Sequence, residues 1–273
     1  MLPDVCVFQA PSSQGYSGPH PRSEVTVPSG YKLIGGGANI ERVEPGNLLT
    51  ASYPETSRTW VATGKDHGPA SPAHIAAFAV GLYDPNDEWE VLIHAATSYP
   101  RAAHPYSVAQ VPDGFTMTGG GAFVHWDGYG NLLTASYPQD GSTWRAESKD
   151  HDQPDPAVVT AYVIGLRHRA GTIVLEPPDI QSQTITGTQT REVPVGVRAG
   201  YTLTGGGARE DYGSGLGSGF GNLLTASYPL ATAPPSGSSC PMIASSWVAR
   251  GKDHIQASSG KLTAYAIGLK TNP

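Results

Sequence analysis

Gly46-Asn47-Leu48-Leu49-Thr50-Ala51-Ser52-Tyr53-Pro54 is spelled again at Gly130 to Pro138, and a third time at Gly221 to Pro229. Upstream of each copy stands a glycine run: Gly35-Gly36-Gly37-Ala38, Gly119-Gly120-Gly121-Ala122 and Gly205-Gly206-Gly207-Ala208. Downstream come a tryptophan (Trp60, Trp144, Trp247) and the triplets Lys65-Asp66-His67, Lys149-Asp150-His151 and Lys252-Asp253-His254. An aromatic (Phe78, Tyr162, Tyr265) and a Gly-Leu pair close each copy. The glycine runs begin 84 and 86 residues apart, and a fixed period decides architecture before any local propensity does. The expectation is an all-β chain of three tandem antiparallel repeats, each of about 85 residues, at 1–84, 85–169 and 170–273. No Gly/Ser linker separates them, so they are expected to pack as one body with threefold pseudosymmetry.

Composition supports this reading. The 34 glycines and 24 prolines sit at fixed places between apolar runs, which is the pattern of tight turns between strands rather than of disorder. The net charge is −6 and no Lys/Arg cluster occurs, so the basic face that nucleic acid requires is missing. The longest apolar run, Ile75 to Tyr83, is too short to span a bilayer. Met1-Leu2-Pro3-Asp4 has no basic stretch leading into an apolar one, so no signal peptide is visible. A cytoplasmic location, export by a route the sequence does not show, and numbering from a mature chain all remain open. Cys6 and Cys240 either form a disulfide tying the first repeat to the last or stand as two thiols.

Each repeat reads as a series of short strands. Val5–Phe8, Trp89–Ile93 and Thr172–Leu175 are β-prone stretches that open the three units, followed by Glu24–Val27, Tyr106–Val111 and Arg191–Val195. On period-two alternation, Trp60, Ala62, Gly64 and Asp66 share one face, and that face hardly varies between copies, as packing requires. Val61, Thr63, Lys65 and His67 share the other, which drifts as a solvated face would but ends in an unvarying Lys and His. In the terminal strands, Phe78, Val80 and Leu82 and their counterparts make a large face expected in the core. Leu48, Leu49, Ala51 and Tyr53 are also expected in the core. A glycine run inside a strand signals a bulge, a bend or another backbone coming very close. Six positions lead from Pro54 to Trp60 and from Pro138 to Trp144, but eighteen lead from Pro229 to Trp247, so the third copy carries a twelve-residue insertion at a hairpin tip.

The candidate site residues come from what recurs and from the one stretch that varies between steady flanks. Asn47, Asn131 and Asn222 follow glycine in a turn. Asp66, Asp150 and Asp253 stand beside His67, His151 and His254 at strand ends, where a carboxylate and an imidazole can orient a hydroxyl, hold a metal or take a proton. Three readings stay open: turn caps on a solvent rim, sugar-binding contacts, and three histidines converging on an axis around a metal. The variable stretch covers 39–45, 123–129 and 209–220, and its second copy contributes Trp126 and Tyr129 as ring-stacking contacts. His20, His74, His94, His104, His125 and His168 do not recur and read as surface residues. No nucleophile or metalloprotease motif is present.

Three glycine-rich β repeats, each with a Gly-Gly-Gly turn and an aromatic strand, resemble the β-prism proteins, namely jacalin-type lectins and the vitelline membrane outer layer protein I type. Gly200 to Ala208 also resembles a module of secreted bacterial proteins. The prism resemblance implies carbohydrate binding and carries over no particular residue. The expected function is a non-enzymatic, multivalent, lectin-like protein with up to three equivalent sites, no cofactor, and glycans as partners. The alternatives are a structural, assembly or toxin-associated module, and an Asp/His- or metal-dependent hydrolase.

Overall fold

The protein, described by a computed structural model over residues 2–10, 18–41, 46–211, 222–255 and 257–272, is built from strands alone among those residues. The first repeat supplies β1 to β6: Val5–Gln9, Arg22–Thr26, Tyr31–Ile40, Leu48–Pro54, Thr59–Lys65 and Ile75–Tyr83. The second supplies β7 to β12: Trp89–Thr97, Tyr106–Gln110, Thr116–His125, Leu132–Pro138, Thr143–Lys149 and Val158–His168. The third supplies β13 to β18: Asp179–Gly187, Arg191–Gly196, Thr202–Asp211, Leu223–Thr232, Ile243–Lys252 and Gly260–Leu269.

These strands form three six-stranded antiparallel sheets, and no sheet belongs to one repeat. Their orders are β2-β5-β4-β9-β12-β7, β13-β18-β15-β10-β11-β8 and β1-β6-β3-β16-β17-β14. Each repeat is therefore split into two three-stranded halves, and each half continues into a half from a neighbour, in the cyclic order one to two, two to three, three to one. The joints are narrow: Ser52 faces Ala122, Ser136 faces Ala208 and Ser227 faces Ala38.

The glycine runs make those joints possible. A Cβ on Gly35 would stand 2.3 Å from the Thr204 carbonyl oxygen, and one on Gly205 would stand 2.5 Å from that of Thr118, so the first glycines of the three runs meet one another. A Cβ on Gly36 would lie 2.3 Å from the Trp60 ring, and one on Gly37 would lie 2.4 Å from the Ser227 carbonyl oxygen of the adjoining repeat. The same three roles recur in the other runs. A bulge at Ile34, Thr118 and Thr204 precedes each run. There the Thr118 hydroxyl donates to the Ile34 carbonyl at 2.6 Å and the Thr204 hydroxyl to that of Thr118 at 2.9 Å.

One hydrophobic cluster draws on all three repeats and takes in Trp60, Trp144 and Trp247. Each indole is fully buried, and its N–H donates to a serine of the repeated octapeptide: Trp60 to Ser52, Trp144 to Ser136 and Trp247 to Ser227, at 2.9 to 3.0 Å. A buried indole without such an acceptor would be costly. Leu48, Leu132 and Leu223 make a separate cluster, again one from each copy.

Three expectations need correction. The third repeat opens not at Thr172–Leu175 but at β13, because Ile173 and Leu175 pack as an apolar plug against Ile34, Leu166 and Leu269 instead of pairing along their length. The terminal-strand aromatics are not in the main core. Ala77, Ala79, Ala161, Ala264 and Ala266 are, whereas Tyr162 and Tyr265 lie half-buried on the opposite face. Tyr53 goes with them, since it stacks on Tyr162 at 5.2 Å. The drifting face of the tryptophan strands is not freely solvated either, because Val61 and Val248 are buried.

Cys6 and Cys240 form a disulfide that joins β1 to the third-repeat insertion across 234 positions. Among the described residues no helix is long and apolar enough to cross a membrane.

Candidate functional site

The Lys-Asp-His triplets do not decorate a rim. Lys65, Lys149, Lys252 and His67, His151, His254 are all buried at 3% exposure or less, as are Asn47, Asn131 and Asn222. The aspartates between them are half-buried. Asp66 accepts from Asn47 Nδ2 at 2.7 Å and from the Ser71 amide at 2.8 Å, and Asn47 Nδ2 also donates to the Pro19 carbonyl at 3.0 Å. Asp150 accepts from Asn131 Nδ2 at 2.7 Å, and that amide also donates to the Ala103 carbonyl. The third copy is built differently. Asp253 accepts from the amides of Gln189 and Ser258, while Arg191 donates to Asn222 Oδ1 and forms a buried ion pair with Glu210 at 3.0 Å. Burial pushes the Glu210 carboxyl up to about 7, with Arg191 pulling against it.

Each triplet reaches into the next repeat. Lys65 Nζ donates to the carbonyls of Gly128 and Tyr129, and His67 Nδ1 lies 3.0 Å from the Tyr129 carbonyl. Lys149 is held near Glu210 of the third repeat, and Lys252 lies beside Gly46 and Asn47 of the first. Burial lowers Lys65 and takes Lys149 down to about 8.

The three imidazoles come together from the three repeats, with ring centroids 4.9, 5.1 and 5.5 Å apart. They bond in a circle: His254 Nε2 to the His67 carbonyl at 2.7 Å, His67 to the main chain of His151, and His151 to that of His254. At least one nitrogen of each ring is directed at a carbonyl, which holds the three repeats together. Among the described residues no group of three His, Cys, Asp or Glu is set to hold a metal. Burial lowers His67, and burial followed by the neighbouring imidazoles and Lys149 takes His151 down to about 3. The arrangement can clasp three repeats; it offers no open surface to a solute.

Open chemistry lies elsewhere, on the outer face of the sheet shared by repeats one and two. A cleft of about 520 Å³ is lined there by Trp126, His125, Asp127, Arg101, His20, Arg22, Phe123, Thr50 and Thr63. That volume falls in the range of small-molecule sites. Lys65 Nζ lies 4.1 Å from the Trp126 ring centroid, so the buried clasp of the first repeat supports the ring from the second. Phe123 stacks on Tyr53 at 5.2 Å, and His125 Nε2 meets the Thr160 hydroxyl at 2.8 Å. Arg101 pairs with Asp127 at 2.7 Å, both exposed, and burial together with Arg101 lowers His125.

Of the residues singled out in the sequence, Trp126 alone lines this cleft. Tyr129 lends its carbonyl to the clasp and leaves its ring 56% exposed beside it. His20 and His125, read from the sequence as surface residues, are exposed here, and Arg22 and Arg101 were not singled out. They come together only through strand pairing, and nothing in their spacing signals it. The matching variable stretches at 42–45 and 212–220 lie outside the described residues.

No family model matches the sequence, and no curated protein matches it. Among solved structures, a chain from the atomic structure of Sulfolobus turreted icosahedral virus is 10% identical, covering 91% of this chain and 82% of that one at a TM-score of 0.18. A likeness of that size carries no argument about fold or function.

Proposed function

We propose that this protein is a non-enzymatic glycan-binding module whose site is the cleft on the face shared by repeats one and two, with Trp126 as its stacking ring. The observation that carries the reading is that cleft, where a half-buried indole, a histidine, an exposed carboxylate–guanidinium pair and threonine hydroxyls surround one volume. Flat apolar rings beside hydroxyls and charged groups match the two sides of a sugar. The buried Asn, Asp and His of the triplets are assigned to the scaffold in this reading. Three sheets, each joining halves of two repeats in cyclic order, support a prism-like body, and the internal disulfide favours an oxidising, extracellular setting.

A glycan array followed by calorimetry on the best glycan tests the reading. Trp126→Ala should weaken binding at least about tenfold, as loss of a central aromatic contact does, with an unchanged strand spectrum. A blank array from folded protein, or a Trp126→Ala variant that binds as tightly as the wild type, would overturn it.

One observation favours a second reading, that of a structural or assembly module without a small ligand. The Lys, His and Asn kept in triplicate at the centre are buried inside the protein, and two of the three asparagines bond the aspartate of their own triplet. The blank array would support it.

A further inference from the structure

The three sheets repeat one feature on their outer faces. The tyrosine of the octapeptide stacks on the aromatic of a terminal strand: Tyr53 on Tyr162 at 5.2 Å, Tyr137 on Tyr265 at 5.1 Å and Tyr228 on Phe78 at 5.2 Å, with ring planes 24 to 30° apart. The surroundings differ. Tyr162 and Tyr265 are half-buried, whereas Phe78 is 4% exposed. Its cover is the third-repeat insertion. Beyond Pro229 the β16–β17 hairpin runs on, pairing Ala231 with Ala244 and Thr232 with Ile243. Ala231, Met242 and Ala244 pack on Val7, Ala76 and Phe78. The far end reaches the outer edge of β1, where the Val7 amide donates to the Met242 carbonyl at 2.9 Å and Cys240 is bonded to Cys6. The first two repeats, with six positions between proline and tryptophan, have no chain to do this.

We propose that residues 230–244 are a strap laid over a third copy of the aromatic face, and that the Cys6–Cys240 bond locks it there. An uncapped β1 would be an open sheet edge, and the strap closes the edge and the face together. The protein then presents two open faces instead of three. The ligand that the covered face would take rests on the glycan reading above; the cover does not. A dithiol supplies the two electrons and two protons that turn the bond into two thiols, itself closing to a cyclic disulfide, and the strap is then held only by its apolar contacts and main-chain bonds.

Hydroxyl-radical footprinting read by mass spectrometry tests this without any ligand. It would be run on the wild type, on the dithiothreitol-reduced protein and on a Cys6→Ser/Cys240→Ser variant. Modification of Phe78 should rise at least threefold towards that of Tyr162 and Tyr265, whose own rates stay constant, while Tyr228, already half-buried, should change less. Phe78 remaining protected in both unlocked forms would overturn the lock. A simultaneous rise at Trp60, Trp144 and Trp247 would overturn it too, because the bond would then be holding the whole fold and not a strap. Neither result depends on glycan binding, so the two proposals fail separately.

Discussion

The centre of the molecule and its outer faces were copied together, yet apart from one stacked aromatic pair on each face only the centre stayed the same. At the centre, the glycine runs and the Lys-Asp-His clasps act between strands of different halves or different repeats, and each tryptophan ring, held by its serine, packs against a glycine of the other half. A change in one copy there strains its neighbours. On the faces a glycine (Gly121, Gly207 or Gly37) lies between the stacked aromatics, but the residue two positions beyond it is Phe123, Arg209 or Asn39, and the third face is strapped over altogether. The difference teaches that sameness among repeats marks the joints between them, while a ligand site is better sought where the copies part.

The largest expected break in this comparison comes from adding one methyl group at a joint. Gly36→Ala would press Cβ within 2.4 Å of both the Trp60 ring and the Phe78 carbonyl, and should cost about 3 kcal/mol in urea unfolding. Gly141→Ala, whose new atom would meet Pro178 at an ordinary 3.7 Å, should stay within about 0.5 kcal/mol.

Acid sharpens the comparison next. His151 is held neutral down to about 3, whereas in the unfolded chain it takes its proton near 6.5. The unfolded state thus binds more protons in between, and stability falls by about 1.4 kcal/mol per pH unit below 6.5, or about 2 kcal/mol by pH 5. His67, lowered by burial, leans the same way, while Glu210, raised to about 7, leans the other. Comparison with His151→Asn cancels both, and between pH 6.5 and 5 the variant should show a slope shallower by that amount. Equal slopes would put His151 in contact with water.

A smaller effect belongs to the indole bonds. Ser136→Ala leaves the buried Trp144 N–H without its acceptor and should cost about 1–2 kcal/mol by thermal or urea unfolding. A neutral result would mean that the indole finds another partner.

Much of the centre was legible in the sequence. Triplication and turn-rich composition gave the β class, and the glycine runs announced close approach because strands rarely surrender three side chains in succession. Which face of a strand is inner was not legible. Ala77–Phe78–Ala79–Val80 alternates cleanly, but both of its sides are covered, so alternation separates two faces without ranking them. Lys65 and His67 read as rim residues because charged groups at strand ends normally reach water. Their burial depends on the carbonyls of Gly128 and Tyr129, more than sixty residues away. Asp179–Gly187 escaped notice as a strand because its polar sequence suits an outermost strand largely open to solvent. The cleft joins Arg22, Arg101 and Trp126 through pairings with no local trace.

The central claim, that the triplicate residues serve the joints and the divergent ones serve the faces, is met most directly by two aspartates. Urea unfolding of Asp66→Ala, which strips the acceptor from Asn47 and Ser71, should show a loss of about 2–3 kcal/mol. Asp127→Ala, which removes an exposed partner of Arg101, should stay within about 0.5 kcal/mol. Equal losses, or the reverse order, would contradict the account.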